Sequence, residues 1–457
     1  MKQACTFLTL ALLSLILTVN EASGATFTNL YVFSADDFNS QFLFTNRDGV
    51  GPNGLVISGN VIYGTAASGG QNSYGTVFRM NTDGSHFTNL FNFDRGPYDS
   101  GTGTYPQNTG MFPGAGLVLV GDTLYGTTHT GGKVLAGSIF RINTDGSGFA
   151  TIHEFNYVDG QGPQHGLTLH SNLLYGTTVL GGSNGWGNVF TIDLTNNNIS
   201  FVYQFTNEVA PYGGLAFSGN GLYGFGRGSS GSNGWIYTLN GGYSILYNFI
   251  GTNGSDPWGT PIISGNTLFG TTTSGGQFMS GNVFRIDLNG SNYTNLYSFT
   301  PNGAANTDGS LTYNYTGLVL SGNKLYGTAS AGGSGSRGTV FQLNTDGSGF
   351  GVLHSFNYAD GADPESLVLS GGKLYGGTYG GFHGFANGSG GIFAITVQPS
   401  LNINATNNSA VVTWNDPTFS LYTSTNVSTT FTNIPGAHSP YTNIITGQRR
   451  FFRLQSN

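Results

Sequence analysis

The run Leu117-Val118-Leu119-Val120, a turn at Gly121-Asp122, then Thr123-Leu124-Tyr125-Gly126-Thr127-Thr128 opens the unit that decides the fold of this 457-residue chain. After a loose loop from Gly131 to Gly137 come Ser138-Ile139-Phe140-Arg141-Ile142, a tight turn at Asn143-Thr144-Asp145-Gly146, and Phe149 to Phe155. These are four short runs rich in β-branched and aromatic residues, each bounded by Gly, Asn or Asp. Such runs predict four strands, a to d, joined by turns. No run carries apolar residues at helical spacing.

The unit recurs seven times, marked by Ile62-Tyr63-Gly64, Leu124-Tyr125-Gly126, Leu174-Tyr175-Gly176, Leu222-Tyr223-Gly224, Leu268-Phe269-Gly270, Leu325-Tyr326-Gly327 and Leu374-Tyr375-Gly376. The step from the start of strand a to the strand-b aromatic is eight residues in every copy, from Leu55 to Tyr63 through Leu367 to Tyr375. Periodicity of this length means a repeat architecture. The seventh copy lacks strand d, and the missing strand stands at the other end of the repeats. Thr26-Phe27-Thr28-Asn29-Leu30-Tyr31-Val32-Phe33 matches Phe87-Thr88-Asn89-Leu90-Phe91-Asn92-Phe93. A chain that begins with the last strand of its own last repeat is built to close a ring, which removes exposed sheet edges. The expected fold is all-β: a seven-bladed β-propeller over residues 25–397, closed by the N-terminal strand. Residues 398–457 lack the repeat and predict a small β-sandwich-like module.

Composition narrows the class. The 76 glycines serve turns and close approaches, while the fixed register excludes disorder. Charged residues are only 8%, so Asn, Ser and Thr supply the polar surface. A net charge of −7 argues against nucleic acid, which calls for basic patches. Residues 1–24 read as a secretory signal peptide, with Lys2 at its basic end, an apolar stretch from Phe7 to Val19 and small residues at Ala22-Ser23-Gly24. Cys5 is the single cysteine and lies inside that segment, so neither a disulfide nor a Cys metal site is expected in the mature chain. A secreted, extracellular monomer with no membrane span in its mature part is the expectation, cell-surface attachment remaining open.

The repeated Leu124 to Gly132 and Gly338 to Ser348 segments resemble the bacterial extracellular tandem repeat GloVer family. The terminal unit, with Trp414, Phe419-Ser420-Leu421 and Phe451-Phe452-Arg453-Leu454, resembles a β module common on secreted proteins of Verrucomicrobia-type bacteria. The resemblance implies export and a choice of surface anchors. It carries no catalytic residues with it.

If the strands run up and down, the tight a–b and c–d turns share one face and the b–c and d–a connections share the other. The c–d turns, such as Asn143-Thr144-Asp145-Gly146, suggest calcium by residue type, but Asp-Gly is ordinary hairpin chemistry and no acidic ladder is present. The opposite face varies from copy to copy. Trp186, Trp235 and Trp258 map to it, with His165 and Tyr212 in neighbouring d–a connections. Aromatics on a low shelf suit the C–H face of a sugar; the competing reading packs each indole against the next blade. Carboxylates lie on the same face: Asp36, Asp99, Asp159, Glu208, Asp256, Asp308, Asp360, Asp363 and Glu365. Such groups support glycosidic acid–base work only when paired, and Asp159-Gly160 and Asp360-Gly361 recur as turn residues. His153 and His354 share one place in strand d and are expected to pack between blades. His129, His165 and His383 lie in different copies without metal-ligand spacing. No metal or cofactor is assigned, and no hydrolase or phosphate-loop motif occurs.

Two functions remain as expectations. The first is a secreted, non-catalytic binding or surface-interaction module for polysaccharide or another surface protein. The second is a secreted propeller glycoside hydrolase or polysaccharide lyase acting through loop-face carboxylates. Fold alone chooses neither.

Overall fold

The computed structural model of the protein describes residues 25–456, apart from residues 36, 39–43, 115, 207–208, 229–231, 302, 304–305, 312–316, 382–387, 398–400, 406–408, 415–418, 425–429 and 445–449. The expected signal peptide, Cys5, Asp36, Glu208 and His383 lie outside the described residues. Among those residues the chain is all-β, without a helix, and seven four-stranded antiparallel sheets form a propeller-like body.

Each sheet keeps the chain order a-b-c-d. Sheet two, for example, consists of Val118–Val120, Thr123–Thr128, Ser138–Asn143 and Ala150–Glu154. Sheet seven takes strands a to c from Ala362–Ser370, Lys373–Gly380 and Gly391–Thr396. Its fourth strand is the N-terminal Thr26–Val32, paired antiparallel from Thr26 opposite Thr396 to Val32 opposite Gly391. The expected pairing of the first strand with the last repeat is therefore present. Both partners supply the alternating residues a ladder needs, and the pairing covers an edge that would otherwise stand open.

The motif glycine has a steric cause. Gly126 lies directly opposite Phe140 of strand c, and a Cβ on it would fall 2.5 Å from the Phe140 ring and 2.9 Å from Leu117. The same crossing occurs at Gly64 with Phe78, Gly176 with Phe190 and Gly376 with Phe393. The strand-c aromatic thus lies against the backbone of strand b. This explains why motif and aromatic hold their spacing: they are cross-strand partners, not merely neighbours in a list.

Packing between sheets follows the chain. Tyr63 and Val77 of sheet one share a buried cluster with Leu124, Phe140 and Ile142 of sheet two. Analogous clusters join each successive sheet, and Tyr375, Ile392 and Ala394 of sheet seven pack on Ile62, Phe78 and Met80 of sheet one. The fully buried rings of Phe33, Phe93, Phe155 and Phe299 each contribute roughly 2–3 kcal/mol. Farther out, strand-d rings stack on the residue after the next sheet's c–d turn. Phe91 lies on Phe149 at 3.6 Å, Tyr297 on Phe350 at 3.6 Å, and Tyr31 on Phe87 at 4.1 Å. His354 of sheet six takes the same role on Phe27 at 3.7 Å, so this histidine packs between sheets.

The starts of strand a also touch from sheet to sheet. Gly54 N donates to Ser366 Oγ at 3.1 Å, Asn53 Nδ2 donates to the Gly114 carbonyl at 3.3 Å, and Thr168 Oγ1 to that of Leu215 at 2.8 Å. A Cβ on Gly213 would fall 2.8 Å from the Gly259 carbonyl. Strand a is therefore the inner strand.

Beyond the repeats, two three-stranded sheets run from Leu401–Ala405 to Phe451–Ser456. They hold a small core of their own around Val412, Trp414, Leu421 and Phe452.

Candidate functional site at the starts of inner strands three to five

The site is built where sheets three, four and five bring the starts of their inner strands together. Sheet four's strand a is Val209–Ser218 and its strand b is Gly221–Gly228; sheet five's strand a is Ser255–Ser264. Both inner strands carry a register shift, between Pro211 and Leu215 and between Trp258 and Ile262. Such a bulge re-aims side chains at a sheet's rim. Just before the second shift Asp256 adopts φ +54°, a left-handed conformation that Asp tolerates better than most residues.

Three sequence-predicted residues meet here. The Tyr212 and Trp258 rings contact edge to face at 5.2 Å, and His165 lies 6.0 Å from Trp258. Trp258 and Tyr212 are half-buried, while His165 is 6% exposed. Arg227, from strand b of sheet four, completes the group. Its guanidinium lies 5.6 Å from the centre of Tyr212 and 5.8 Å from that of Trp258. Both distances allow cation–π attraction. Its Nε donates to Asp256 Oδ1 at 2.9 Å, and its side chain is 42% exposed. Asp256 Oδ2 also accepts from Ser274 Oγ at 3.1 Å. The carboxylate is thus fixed from two sides, and it fixes the guanidinium in turn.

The imidazole beside the indole and its neighbour His129 are uncharged. Burial, with the neighbouring His129 second, pushes His165 down to about 4. Burial also holds His129 below the usual histidine range. His165 Nε2 and His129 Nδ1 are both buried without a hydrogen-bond partner. Taking charge there would mean desolvating it without compensation, so both remain neutral at physiological pH.

The other two tryptophans do not join the cluster. Trp235 is 7% exposed in the core between sheets three and four, and Trp186 packs half-buried against that same core. A Cβ on Gly226 would lie 2.3 Å from the Trp235 indole nitrogen, so a bare backbone makes room for this ring. The expected shelf of three indoles is replaced by one indole, one phenol and one guanidinium.

Most loop-face carboxylates are tied down locally. Asp159 Oδ2 pairs with His153 Nε2 at 3.0 Å, and Asp360 Oδ2 with His354 Nε2 at 3.0 Å. Each also accepts the backbone N–H three residues before it, from Asn156 and Asn357. These are turn residues as expected, but ones that clasp strand d rather than simply face solvent. Asp308 accepts from Tyr297 and Thr300, and Asp99 caps its own loop at Gly101. In the c–d turns Asp145 accepts from Ser147 N and Oγ at 2.8 and 2.6 Å, and these bonds hold its carboxyl below the usual range.

Glu365 differs. It stands two residues before Leu367, the place His165 holds before Leu167 and Asn53 before Leu55. Burial, with the Asp363 charge second, pushes its carboxyl up to about 7. Arg227 was absent from the sequence-derived candidates, although it had a signal. Three residues after the motif glycine the copies read Ala67, His129, Val179, Arg227, Thr273, Ser330 and Tyr379. Arg227 and His129 hold equivalent places at the end of strand b, where the repeat stops repeating.

No curated protein matches the sequence. Among solved structures, similar chains include a putative 6-phosphogluconolactonase from Bacteroides uniformis, 13% identical over 72% of this chain and 88% of that one, with a TM-score of 0.46. Kuenenia stuttgartiensis hydrazine synthase is 14% identical over 73% of this chain and 94% of that one, with a TM-score of 0.48. A puromycin-hydrolyzing peptidase from Mycobacterium tuberculosis is 9% identical over 81% and 60%, with a TM-score of 0.49. None of the three assigns an activity at such identities. The family comparison is specific: residues 44–237, from the approach to sheet one through strand c of sheet four, match the Gloeobacter/Verrucomicrobia repeat.

Proposed function

We propose that this protein is a secreted, non-catalytic seven-bladed β-propeller, closed by its N-terminal strand, that binds polysaccharide at the Trp258 cluster. The pairing of Thr26–Val32 with Gly391–Thr396 and the packing of sheet seven on sheet one support the ring. The observation that carries the binding reading is the convergence of half-buried Trp258 and Tyr212 with Arg227 across both rings. An aromatic pair with a fixed polar group beside it offers stacking and directional hydrogen bonds together. Exposed apolar residues on the same face, including Val158, Ile250 and Met279, fit a surface that meets a partner. Export rests on the sequence of residues 1–24.

The second reading, a glycoside hydrolase or lyase, is favoured by one observation: Glu365, beside Asp363, is raised to about 7, the range suited to a general acid. The local engagement of Asp99, Asp159, Asp308 and Asp360 weighs against it, since it leaves Glu365 only Asp363, itself raised by burial, as a neighbouring acid.

One experiment addresses both. The full mature chain is incubated with a polysaccharide panel and scored for retention and for new reducing or unsaturated ends. Binding without new ends, weakened at least about tenfold by Trp258→Ala, is the expected outcome. New ends released by the wild type and lost in Glu365→Gln would establish the enzyme instead.

A further inference from the structure

We infer that the Trp258 cluster takes uncharged sugar rings and discriminates against uronic or sulfated chains. This rests on the binding reading and names its ligand class. Four observations set the charge of the site. The single guanidinium over the indole is matched by Asp256 at 2.9 Å. His165 beside the indole, and its neighbour His129, are neutral imidazoles. The inner strand of sheet seven, Ala362–Ser370, carries two acids, Asp363 and Glu365, and no base. Of the other cations that the strand order puts on this face, Lys133 pairs with Glu154 at 3.2 Å, Arg95 lies over Tyr74 and Tyr105, Arg337 lies over Tyr358, and Arg47 stands in the connection into sheet one.

An anionic sugar placed on Trp258 therefore meets a compensated ion pair. It would lose hydration without finding an unmatched positive charge, a cost that buried or half-buried sites rarely recover. An uncharged sugar loses no charge hydration. Its C–H face covers the half-buried indole and phenol, and its hydroxyls, each donor and acceptor at once, meet a donor and an acceptor held side by side. Arg227 spends Nε on Asp256, and with its side chain 42% exposed the two terminal amino groups remain as donors for a ligand. The ion pair thus works here as a rigid dipole and not as a net charge.

The test is affinity electrophoresis of the full mature chain through gels containing either a neutral polymer (β-glucan, xylan or galactomannan) or an acidic one (polygalacturonate, alginate or dextran sulfate). Each gel is run at about 50 and about 500 mM salt, which changes the screening length severalfold. Retardation by at least one neutral polymer, constant within about twofold between the two salt levels, is expected. Arg227→Lys, which keeps the charge and loses the planar fork, should weaken it at least about fivefold. Trp258→Phe, which keeps an aromatic ring in the packing, should weaken it in the same direction. Retardation by acidic polymers alone, or retardation abolished by salt, overturns this inference and leaves polysaccharide binding standing. Neutral-polymer binding indifferent to both substitutions also overturns it, by placing the site elsewhere. No retardation by any polymer overturns the inference and the binding reading together.

Discussion

At the residue scale, Glu365 offers a direct thermodynamic handle. Its carboxyl titrates near 4.5 when free and near 7 in the fold. A carboxylic acid raised in this way binds more protons folded than unfolded between those values. Its contribution to stability is therefore most favourable below about 4.5, and it falls as pH rises toward 7. Glu365→Gln removes the cost of the buried charge. The variant should be more stable than wild type at pH 8 by about 1–3 kcal/mol, allowing for solvent that reaches this half-buried side chain, and equal to it at pH 4. Chemical denaturation at the two pH values measures the difference; equal midpoints at pH 8 would mean that Glu365 is not desolvated. The sequence listed Glu365 among the loop-face carboxylates but gave no sign of its distinct environment. The difference comes from its burial and from the Asp363 charge, and burial is a tertiary property that no local pattern records. For the same reason His165 and Tyr212 were legible as candidates while their meeting with Arg227 was not.

At the element scale, the repeated Leu-aromatic-Gly motif is explained by a cross-strand contact. The strand-c ring needs the space above the glycine, so Gly126→Ala should force Phe140 off its position. The expected cost is about 1–3 kcal/mol, the usual range for overpacking a filled core. A second-site Phe140→Leu should recover part of it, since the added methyl would then face a smaller side chain. Thermal unfolding of the single and double variants reads both effects, and an additive double variant would contradict the contact. Strand existence and order were readable here, because alternating β-branched and aromatic runs bounded by turn residues have one interpretation. Bulges were not readable. The shifts at Pro211 to Leu215 and Trp258 to Ile262 depend on the neighbouring sheet's approach, and they help arrange the residues of the candidate site.

At the scale of the whole molecule, the N-terminal strand carries an outsized load for its length. It pairs with Gly391–Thr396, stacks Phe27 on His354, and is followed by fully buried Phe33. Deleting residues 25–33 should strip the outer edge from sheet seven and empty the Phe33 site. We expect a soluble fraction reduced severalfold and concentration-dependent oligomers by light scattering, the known liability of a long open edge. A deletion variant that stays monomeric with an unchanged melting profile would argue against the proposed closure. The sequence by itself determined the all-β class, seven copies of one four-stranded unit, and the strand that the last copy borrows. Repetition multiplies a weak local signal until only one register satisfies every copy. Only the tertiary structure decided which non-repeating residues meet. Trp258, Tyr212, His165 and Arg227 come from three repeats and are separated by up to 93 positions, from 165 to 258. Their proximity depends on the stacking of sheets side by side, a relation that a one-dimensional period fixes in order but not in side-chain geometry.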